Sequence, residues 1–505
     1  MESARKAITR FAPSPTGFLH VGGLRTALYS YLLAKQTGGK FLLRIEDTDR
    51  ERFVTGGIEN ILASLYWTGI VPNEGVTLAE DATVIEKGDA GPYIQSKKLD
   101  EYRKYAEQLV ALQKAYYCFC TPERLEEVRN YRQANKLPPG YDGHCRSLPV
   151  AEVTGRLARE ERHVIRLSMP DEGETTFYDL IRGEVTFKNA DVDDQVLLKS
   201  DGYPTYHLAV VVDDHTMGVT HVIRGEEWIS STPKHITLYR YFGWEIPLFA
   251  HLPLLLNSDK SKLSKRQGDV AVLDYRDKGY LPEALVNFVA FLGWNPGTEQ
   301  EFFSLEELVT SFSLAKVNKA GAVFNLEKLD WFNREYLKQK PTEELAHYFD
   351  MFMPEDIKNL PSYTKEYVAR LAPLLVERVS KGIDLTDMYV SGELIYFFVN
   401  PTYDTNNLFW KTIKDRTDRK EKTREYLLHL LSLLEAISTT EFTDVHIKKV
   451  VWPFAESLAN KGEVLWPMRY ALSGRDKSPD PFVLASVLGK EETKKRLQKA
   501  IALLV

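Results

Sequence analysis

A turn rich in proline and glycine, residues 13–23, carries the first side chains that could do chemistry. Gly22 and Gly23 lack a Cβ, so a base or a phosphate can approach the backbone, and the N-terminus of the helix predicted to follow favours negative charge. His20 can donate a hydrogen bond to a phosphoryl oxygen as charge develops there. The segment lacks the G-x-x-x-x-G-K-[ST] pattern of a Walker loop. A simple turn with a buried histidine remains the alternative.

A run of alternating charges, residues 44–50, begins at the end of the mainly apolar stretch 41–45. If this stretch is a parallel strand, its carboxyl end lies beside the ligand crevice, and Glu46 is placed there. A carboxylate in that position suits an α-ammonium group. The alternative is a solvated loop held by local ion pairs.

A third group of polar residues spans 201–228 and includes Tyr206 and Arg224. Arg224 and Arg10, which lies in the first predicted strand, could form a cationic pocket for a side-chain carboxylate, with Tyr206 as an added donor. The alternative is that Arg224 is a structural ion-pair partner of a nearby carboxylate: Asp213, Asp214 or Glu226.

The last group is a basic loop, residues 260–268, that contains Lys262, Ser264 and Lys265. Lysines on such a loop can close over a triphosphate and neutralise the charge that develops during phosphoryl chemistry. The alternative is an exposed basic loop without a role.

The elements that must position these groups begin with a β-α-β unit. Residues 7–12 predict a strand, 24–35 have helical periodicity, and 41–45 predict a second strand after Gly38 and Gly39 end the helix. Such units build parallel sheets, whose ligands bind at the strand ends.

Residues from about 100 to 198 have a different pattern, which predicts an inserted domain. Amphipathic helices are expected around 99–115 and 123–135, with short strands such as 163–167. Strand-like character at 206–212 and 221–224 predicts that the first sheet then resumes. Beyond residue 266 the pattern is helical almost to the end, so we expect an all-α C-terminal third.

The composition is that of an ordinary globular protein: 505 residues, 44% hydrophobic and 27% charged, enough for three or more packed units. No apolar run approaches the ~20 residues that span a bilayer, no secretory or transit signal precedes the first strand, and the chain has three cysteines. We therefore expect a cytoplasmic protein without a membrane partner.

The net charge of −6 gives no global attraction for a polyanion. The basic run 411–424 is either a local binding face or a solvated helix surface.

Taken together and in this order, the four groups resemble class I aminoacyl-tRNA synthetases, and within them the bacterial-type glutamyl branch. Residues 20–23 are similar to the "HIGH" signature and residues 262–266 to the "KMSKS" signature. Residues 10–23, 44–50, 200–207 and 222–228 resemble the glutamyl branch. The resemblance covers the whole chain and is weaker after about residue 340.

This resemblance implies a multidomain α/β plus all-α fold. A Rossmann-like, parallel-sheet catalytic domain would have its halves at 1–100 and 199–256, and an inserted domain that binds the acceptor stem would lie at 101–198. A stem-contact region with the basic loop would occupy 257–341, and an α-helical anticodon-binding region 342–505.

It also implies ATP-dependent ligation of L-glutamate to its tRNA through a glutamyl-adenylate, with Mg²⁺ accompanying ATP. The glutamate site would comprise Arg10, Ala12, Ser14, Glu46, Tyr206 and Arg224. The ATP site would comprise Pro15, Thr16, Gly17, His20, Gly22, Gly23, Glu227, Lys262, Ser264 and Lys265. His20, Lys262 and Lys265 would act in catalysis.

Some members of the family hold zinc in the inserted domain, and three of their ligand positions match Cys118, Cys120 and Cys145. Ser147 stands where those members have histidine, and Tyr141 or His144 would have to complete the set. We do not expect zinc here, because structural zinc prefers four nitrogen or sulfur ligands.

We expect a monomeric enzyme that charges only the glutamate tRNA. A non-discriminating enzyme that also charges the glutamine tRNA would share every motif, and an inactive tRNA-binding paralogue on the same scaffold is the alternative from another class.

Overall fold

The computed structural model of this chain describes residues 6–137, 140–261, 263 and 271–505. The chain forms two compact units, Met1–Phe332 and Asn333–Val505.

The predicted β-α-β unit opens the first unit. Strand β1 (Ile8–Phe11), helix α1 (Val21–Gln36) and strand β2 (Lys40–Leu43) follow one another, and the two strands pair in parallel with Ile8 opposite Lys40. The α1 helix ends where Gly38 adopts a left-handed φ of +65°, and Gly39 then passes close to Ala7. The parallel pairing brings the carboxyl ends of both strands to one edge of the sheet.

The first sheet is completed by helix α2 (Gly57–Trp67) and strands β3 (Glu74–Leu78) and β4 (Val84–Lys87). Its strand order is β1-β2-β3-β4, in which β3 is parallel to β2 and β4 is antiparallel to β3.

The region predicted as an insert contains a small antiparallel sheet. The helices and strands between residues 99 and 198 are α3 (Leu99–Ala111), β5 (Ala115–Cys118), α4 (Pro122–Ala134), α5 (Val150–Ala158), β6 (Val164–Leu167), β7 (Glu174–Asp179), β8 (Gly183–Lys188) and β9 (Val196–Leu198). Strands β5, β6 and β9 form the small sheet. Strands β7 and β8 instead belong to a sheet with strands that come later in the chain.

The strand predicted at 206–212 is wrong, because these residues begin helix α6 (Tyr206–Thr216). Its residues from Leu208 to Asp214 are all buried, so the apolar run carries no amphipathic period. A short continuous apolar run of this kind cannot be assigned to strand or helix by periodicity alone. The helix continues through Asp213 and Asp214, whose carboxylates are buried in the protein.

The second sheet contains the predicted strand at 221–224. Its strands are β10 (His221–Gly225) and β11 (Leu248–Leu252), which helix α7 (Thr232–Phe242) connects, together with β7 and β8. Strand β11 is parallel to both β10 and β7, and β8 is antiparallel to β7. The amide of Thr220 donates to the carbonyl of Ile8 over 2.9 Å, so β10 runs beside β1. The carboxyl ends of β1, β2 and β10 therefore surround one crevice.

The rest of the first unit is a short parallel strand pair with three helices. These elements are β12 (Leu255–Leu256), α8 (Val272–Asp277), α9 (Pro282–Ala290), α10 (Leu305–Ser311) and β13 (Ala322–Val323). Helix α11 (Leu326–Lys338) leads into the second unit.

The described residues of the second unit form helices and no strands, as predicted. The helices are α12 (Thr342–Phe352), α13 (Glu355–Lys358), α14 (Lys365–Leu375), α15 (Asp384–Val390), α16 (Arg419–Glu435), α17 (Asp444–Ser457), α18 (Gly462–Ser473), α19 (Pro481–Leu488) and α20 (Lys490–Ala502). Buried Arg496 on α20 donates to the carbonyls of Tyr396 and Leu472, at 2.7 and 2.6 Å, and so ties α20 to the end of α18. None of the helices in the described part of the chain combines the length and the apolar character needed to cross a membrane.

The turn between α1 and β2 provides a test of the fold. A Cβ on Gly39 would lie 1.9 Å from the carbonyl oxygen of Ala7, whereas a Cβ on Gly38 would meet nothing within 4 Å. We expect Gly39→Ala to lower the free energy of unfolding by more than about 2 kcal/mol, because the backbone has to move. Gly38→Ala, the matched control, should cost only about 1 kcal/mol for its left-handed φ. Urea denaturation of both variants measures the difference, and equal losses would contradict the packing described.

Candidate functional site

A cavity of about 850 Å³ opens at the carboxyl ends of β1, β2 and β10. Its lining includes eleven of the residues predicted for the site: Arg10, Ala12, Ser14, Thr16, His20, Gly22, Gly23, Glu46, Tyr206, Arg224 and Glu227. Pro15 and Gly17 belong to the same turn but are not among the lining residues. The predicted residues Lys262, Ser264 and Lys265 lie outside the described residues.

One wall of the cavity is the N-terminus of α1. His20 is the N-cap residue, and its Nδ1 accepts a hydrogen bond from the amide of Gly23 over 3.3 Å. This bond places the proton of the neutral ring on Nε2, which makes Nε2 a donor. A Cβ on Gly22 would lie 3.1 Å from the His20 ring, so the glycine gives the ring room to fold back over the helix. The helix end and the His20 donor together make this wall suited to an anion.

The opposite wall is a buried network of charges around Asp214 of α6. Its carboxylate pairs with Arg10 of β1 (Nε to Oδ1, 3.0 Å) and with Arg44 at the end of β2 (Nη1 to Oδ1, 2.8 Å). Arg44 also contacts Glu46 (Nη2 to Oε1, 3.2 Å). Ion pairing with the two arginines holds the pKa of Asp214 below its ordinary value despite complete burial. The network fixes the Arg10 guanidinium and the Glu46 carboxyl at the cavity.

The neighbouring carboxylate, Asp213, anchors the other side of the same network. It accepts from Lys98 Nζ (2.7 Å), from the hydroxyl of Tyr102 (2.9 Å) and from Gln95 Nε2 (2.8 Å), and its Oδ2 lies 3.5 Å from Arg44 Nε. A buried carboxylate is tolerated when it is paired and hydrogen-bonded in this way. Asp213 therefore ties the start of α3 and the segment before it to the strands that carry the site.

Glu46 differs from Asp214 because burial outweighs ion pairing in setting its pKa. Burial raises the pKa of the Glu46 carboxyl to about 7, although Arg44 and Arg10 act in the opposite direction. Near neutral pH the carboxyl can therefore hold or release a proton. A cation entering the cavity would favour the ionised form.

Arg224 at the end of β10 is held by uncharged acceptors instead. Its guanidinium donates to the hydroxyls of Tyr206 and Thr232 and to the rings of His235 and His251, over 2.8–3.2 Å. The alternative that Arg224 pairs with Asp213, Asp214 or Glu226 is not what the described residues show. Asp214 pairs with Arg10 and Arg44, Asp213 with Lys98, and Glu226 with Arg182. Its positive charge faces the cavity.

Sequence reasoning missed three residues that hold Arg224 in place. Thr232, His235 and His251 come from α7 and β11, and no motif marks them. Arg25 was also missed: it lines the cavity from α1 and donates to the carbonyls of Leu292 and Pro253. The one available signal for these residues was a polar side chain in a mainly apolar stretch. That signal does not show which side chain the polar residue contacts.

The three cysteines come together away from this cavity. The sulfur atoms of Cys118, Cys120 and Cys145 lie within 4.8 Å of one another, as three corners of a metal site would. The Tyr141 hydroxyl approaches two of them, at 3.4 Å from Cys118 and 3.3 Å from Cys120. A tyrosine hydroxyl does not complete the four nitrogen or sulfur ligands preferred by structural zinc. The expectation that zinc is not held here stays a prediction, which metal analysis of the purified protein tests.

The site thus combines two chemical environments. One end presents guanidinium groups from Arg10 and Arg224 beside the Glu46 carboxyl, and the other end presents a helix N-terminus with a histidine donor. Such a cavity can hold a small molecule with both acidic and amino groups next to a phosphorylated ligand.

Comparisons with known proteins cover nearly the whole chain. Residues 6–331 match the family of class I tRNA synthetases (E and Q), catalytic domain, and residues 342–501 match the anticodon-binding domain family. The glutamate–tRNA ligase of Finegoldia magna is 45% identical over 97% of this chain and 98% of its own length. That of Chloroherpeton thalassium is 47% identical over 98% and 97%. The crystal structure of a glutamate tRNA ligase from Elizabethkingia meningosepticum in complex with its amino acid superposes with a TM-score of 0.85 at 38% identity, covering 99% of this chain and 100% of that one.

The titration of Glu46 predicts a specific dependence of stability on pH. Its folded pKa of about 7 lies above the ordinary value of 4.5, so the folded chain binds the proton more tightly than the unfolded chain does. The contribution to the free energy of unfolding is therefore lost as pH rises from about 4.5 through about 7. Between pH 5 and 8, wild type should lose up to about 3 kcal/mol relative to Glu46→Gln. Urea titrations across this range, with exposed Glu51→Gln as the control for loss of one negative charge, measure the difference. A difference in the free energy of unfolding between wild type and Glu46→Gln that stays constant with pH would contradict this prediction.

Proposed function

Because this chain belongs to the class I tRNA synthetases for glutamate and glutamine, we propose that it ligates L-glutamate to the 3′-terminal adenosine of its tRNA in an ATP-dependent reaction. The observation that carries this proposal is the single cavity in which Arg10, Glu46 and Arg224 face the N-terminus of α1.

Glutamate fits the charged end of the cavity. The guanidinium groups of Arg10 and Arg224 bind the side-chain carboxylate, and the Tyr206 hydroxyl, which accepts from Arg224, donates its own proton to the same group. Glu46 in its ionised form pairs with the α-ammonium group. Glutamine is nearly the same size but cannot neutralise a guanidinium, and such polar readout reaches about 10⁴–10⁵ in selectivity.

The nucleotide fits the other end. The first turn of α1 and the Nε2–H of His20 face the phosphates of ATP, with the glycines permitting close approach and Glu227 on the nucleotide side. Mg²⁺ accompanies ATP and neutralises its phosphates.

The reaction has two steps. A glutamate α-carboxylate oxygen attacks the α-phosphorus, and the bond to pyrophosphate breaks. The adenosine hydroxyl of the tRNA then attacks the acyl carbon, and AMP leaves. The protein contributes positioning and charge stabilisation and needs no nucleophile of its own.

The second unit matches an anticodon-binding family, and we propose that it contacts the anticodon arm while residues 101–198 contact the acceptor stem. We propose a monomeric enzyme of the cytoplasm that charges the glutamate tRNA alone. The non-discriminating alternative is tested by charging purified glutamate and glutamine tRNAs, where substantial charging of the glutamine tRNA would replace the proposal.

ATP–pyrophosphate exchange, with glutamate or glutamine and with or without tRNA, tests the reaction directly. We expect exchange with glutamate and a rate with glutamine lower by about 10⁴-fold, because the Arg224 charge would stay unpaired. Exchange that is as fast with glutamine would overturn the proposal, and no exchange under any of the four conditions would favour the inactive paralogue.

Arg224→Gln tests the glutamate end of the cavity. Removing the guanidinium should raise the KM for glutamate by at least about 100-fold, while the KM for ATP changes little. Arg159→Gln, at a guanidinium that is 68% exposed, is the matched control and should leave both values near wild type. A loss shared equally by the two substrates would mean that Arg224 has a general structural role.

Binding of tRNA should depend on salt despite the acidic sequence pI of 6.1. Each phosphate that the protein neutralises releases counterions, so the logarithm of the affinity falls as the logarithm of salt concentration rises. Filter binding between low and physiological salt measures the slope. A flat response would contradict phosphate contact.

A further inference from the structure

Arg224 is surrounded by acceptors that carry no charge. Of its five N–H protons, Nε–H reaches His251 Nε2 at 3.0 Å, Nη1 reaches the Tyr206 hydroxyl at 3.2 Å and His235 Nδ1 at 3.0 Å, and Nη2 reaches Thr232 Oγ1 at 2.8 Å. The guanidinium also lies over the Phe249 ring, 5.4 Å from its centroid. Within the described part of the chain, no carboxylate comes within ion-pair distance of it.

His251 can accept from Arg224 only if its Nε2 carries no proton. Its Nδ1 lies 2.6 Å from Asp179 Oδ2, so Nδ1 keeps the proton and donates it to the carboxylate. Asp179 also accepts from the amides of Ile181 and Arg182 after β7. The aspartate therefore selects the tautomer of His251 without touching Arg224 itself.

His235 meets the same requirement on the other side of the guanidinium. Its Nδ1 accepts from Arg224, so the ring proton is on Nε2, which lies 3.0 Å from His207 Nδ1. A second proton between the two rings would have no acceptor. His235 is 1% and His251 0% exposed, which leaves no solvent to replace these contacts.

The electrostatics agree with neutral rings. Burial lowers the pKa of His251, lowers that of His235 well below its ordinary value and lowers that of His207 to about 4, and the Arg224 charge acts in the same direction. The other charged groups acting on these rings are Lys234, Asp193, Asp179 and Arg182. Near neutral pH all three imidazoles are therefore uncharged.

Arg10 provides the contrast. It lies in the same cavity but gives its Nε–H to Asp214 at 3.0 Å, so a carboxylate already offsets part of its charge. Arg224 is as buried as Arg10, at 5% against 3% exposure, yet its partners leave its charge uncompensated.

We propose that His235 and His251, with Asp179 and His207 behind them, are positioning residues that orient Arg224 through neutral acceptors so that its full charge is reserved for the acidic side chain of the substrate. The inference rests on the proposed function, because it assigns that substrate to glutamate. It makes selectivity for glutamate a property of the arginine's surroundings as well as of the arginine.

Two nearly isosteric substitutions separate charge from shape. Asn and Asp at position 235 can each offer an oxygen near the position of His235 Nδ1, but only Asp brings a permanent negative charge. We expect His235→Asp to raise the KM for glutamate at least about tenfold above that of His235→Asn, with a smaller change in kcat, because the added carboxylate competes with the substrate for Arg224. The ratio of kcat/KM for glutamate over glutamine should fall in the Asp variant and be retained in the Asn variant, which keeps an uncharged acceptor for Arg224. Both variants lose the bond to His207 and the ring contact with Tyr206, so these losses cancel in the comparison.

The measurement is ATP–pyrophosphate exchange at pH 7.5 with each amino acid, accompanied by thermal unfolding of both variants. We expect the midpoint of the Asp variant to lie at or above that of the Asn variant, because a carboxylate paired with Arg224 stabilises the folded protein. Should either variant fail to fold, His251→Gln and His251→Glu repeat the comparison on the other side of the guanidinium.

Equal KM values in a folded matched pair would overturn the inference, and wild-type activation of glutamate in the same assay would leave the proposed function intact. If wild type itself prefers another amino acid, the proposed function fails instead.

Discussion

The structure depends on the shared ion pair in which one carboxylate, Asp214, holds two guanidinium groups, Arg10 and Arg44. These three residues come from α6, β1 and the end of β2, which are far apart in the sequence. Leaving any one of these buried charges without its partners costs several kcal/mol, so the network constrains how the elements assemble. The same network places the Arg10 guanidinium and the Glu46 carboxyl at the cavity. The ion pairs that constrain folding therefore also position the side chains of the binding site.

Local patterns in the sequence were enough to predict the parts of the fold that depend on local forces. The β-α-β opening was predicted because residues 7–45 alternate between short apolar runs, helical periodicity and paired glycines. The segment 206–212 was predicted wrongly, since a fully buried helix has no polar face to reveal its period. Only the positions of Arg10, Arg44 and Lys98 in three dimensions explain why the carboxylates of Asp213 and Asp214 occur inside a buried helix.

The candidate site shows the same division. His20, Glu46 and Arg224 could be named from short motifs, because each lies in a predicted turn, at the end of a predicted strand or directly after one. His235 and His251 could not be named, because their importance comes from contacts with Arg224 across 11 and 27 residues of chain. Sequence patterns identify side chains that line the cavity more readily than the side chains that hold them in place.

The pairing of β7 with β11 limits how far the inserted region can be treated as a separate module. Asp179 ends β7 opposite Phe249 and holds His251, yet it lies inside the stretch 101–198 that the family resemblance assigns to the insert. A chimera that exchanged the whole stretch with that of a relative would also exchange a strand of the catalytic sheet and the carboxylate behind His251. A single junction before Glu174 does not solve this, because the chain returns to the small antiparallel sheet at β9 after it has passed through β7 and β8. Domain grafting in this enzyme therefore requires two exchanged pieces, one on each side of the hairpin formed by β7 and β8.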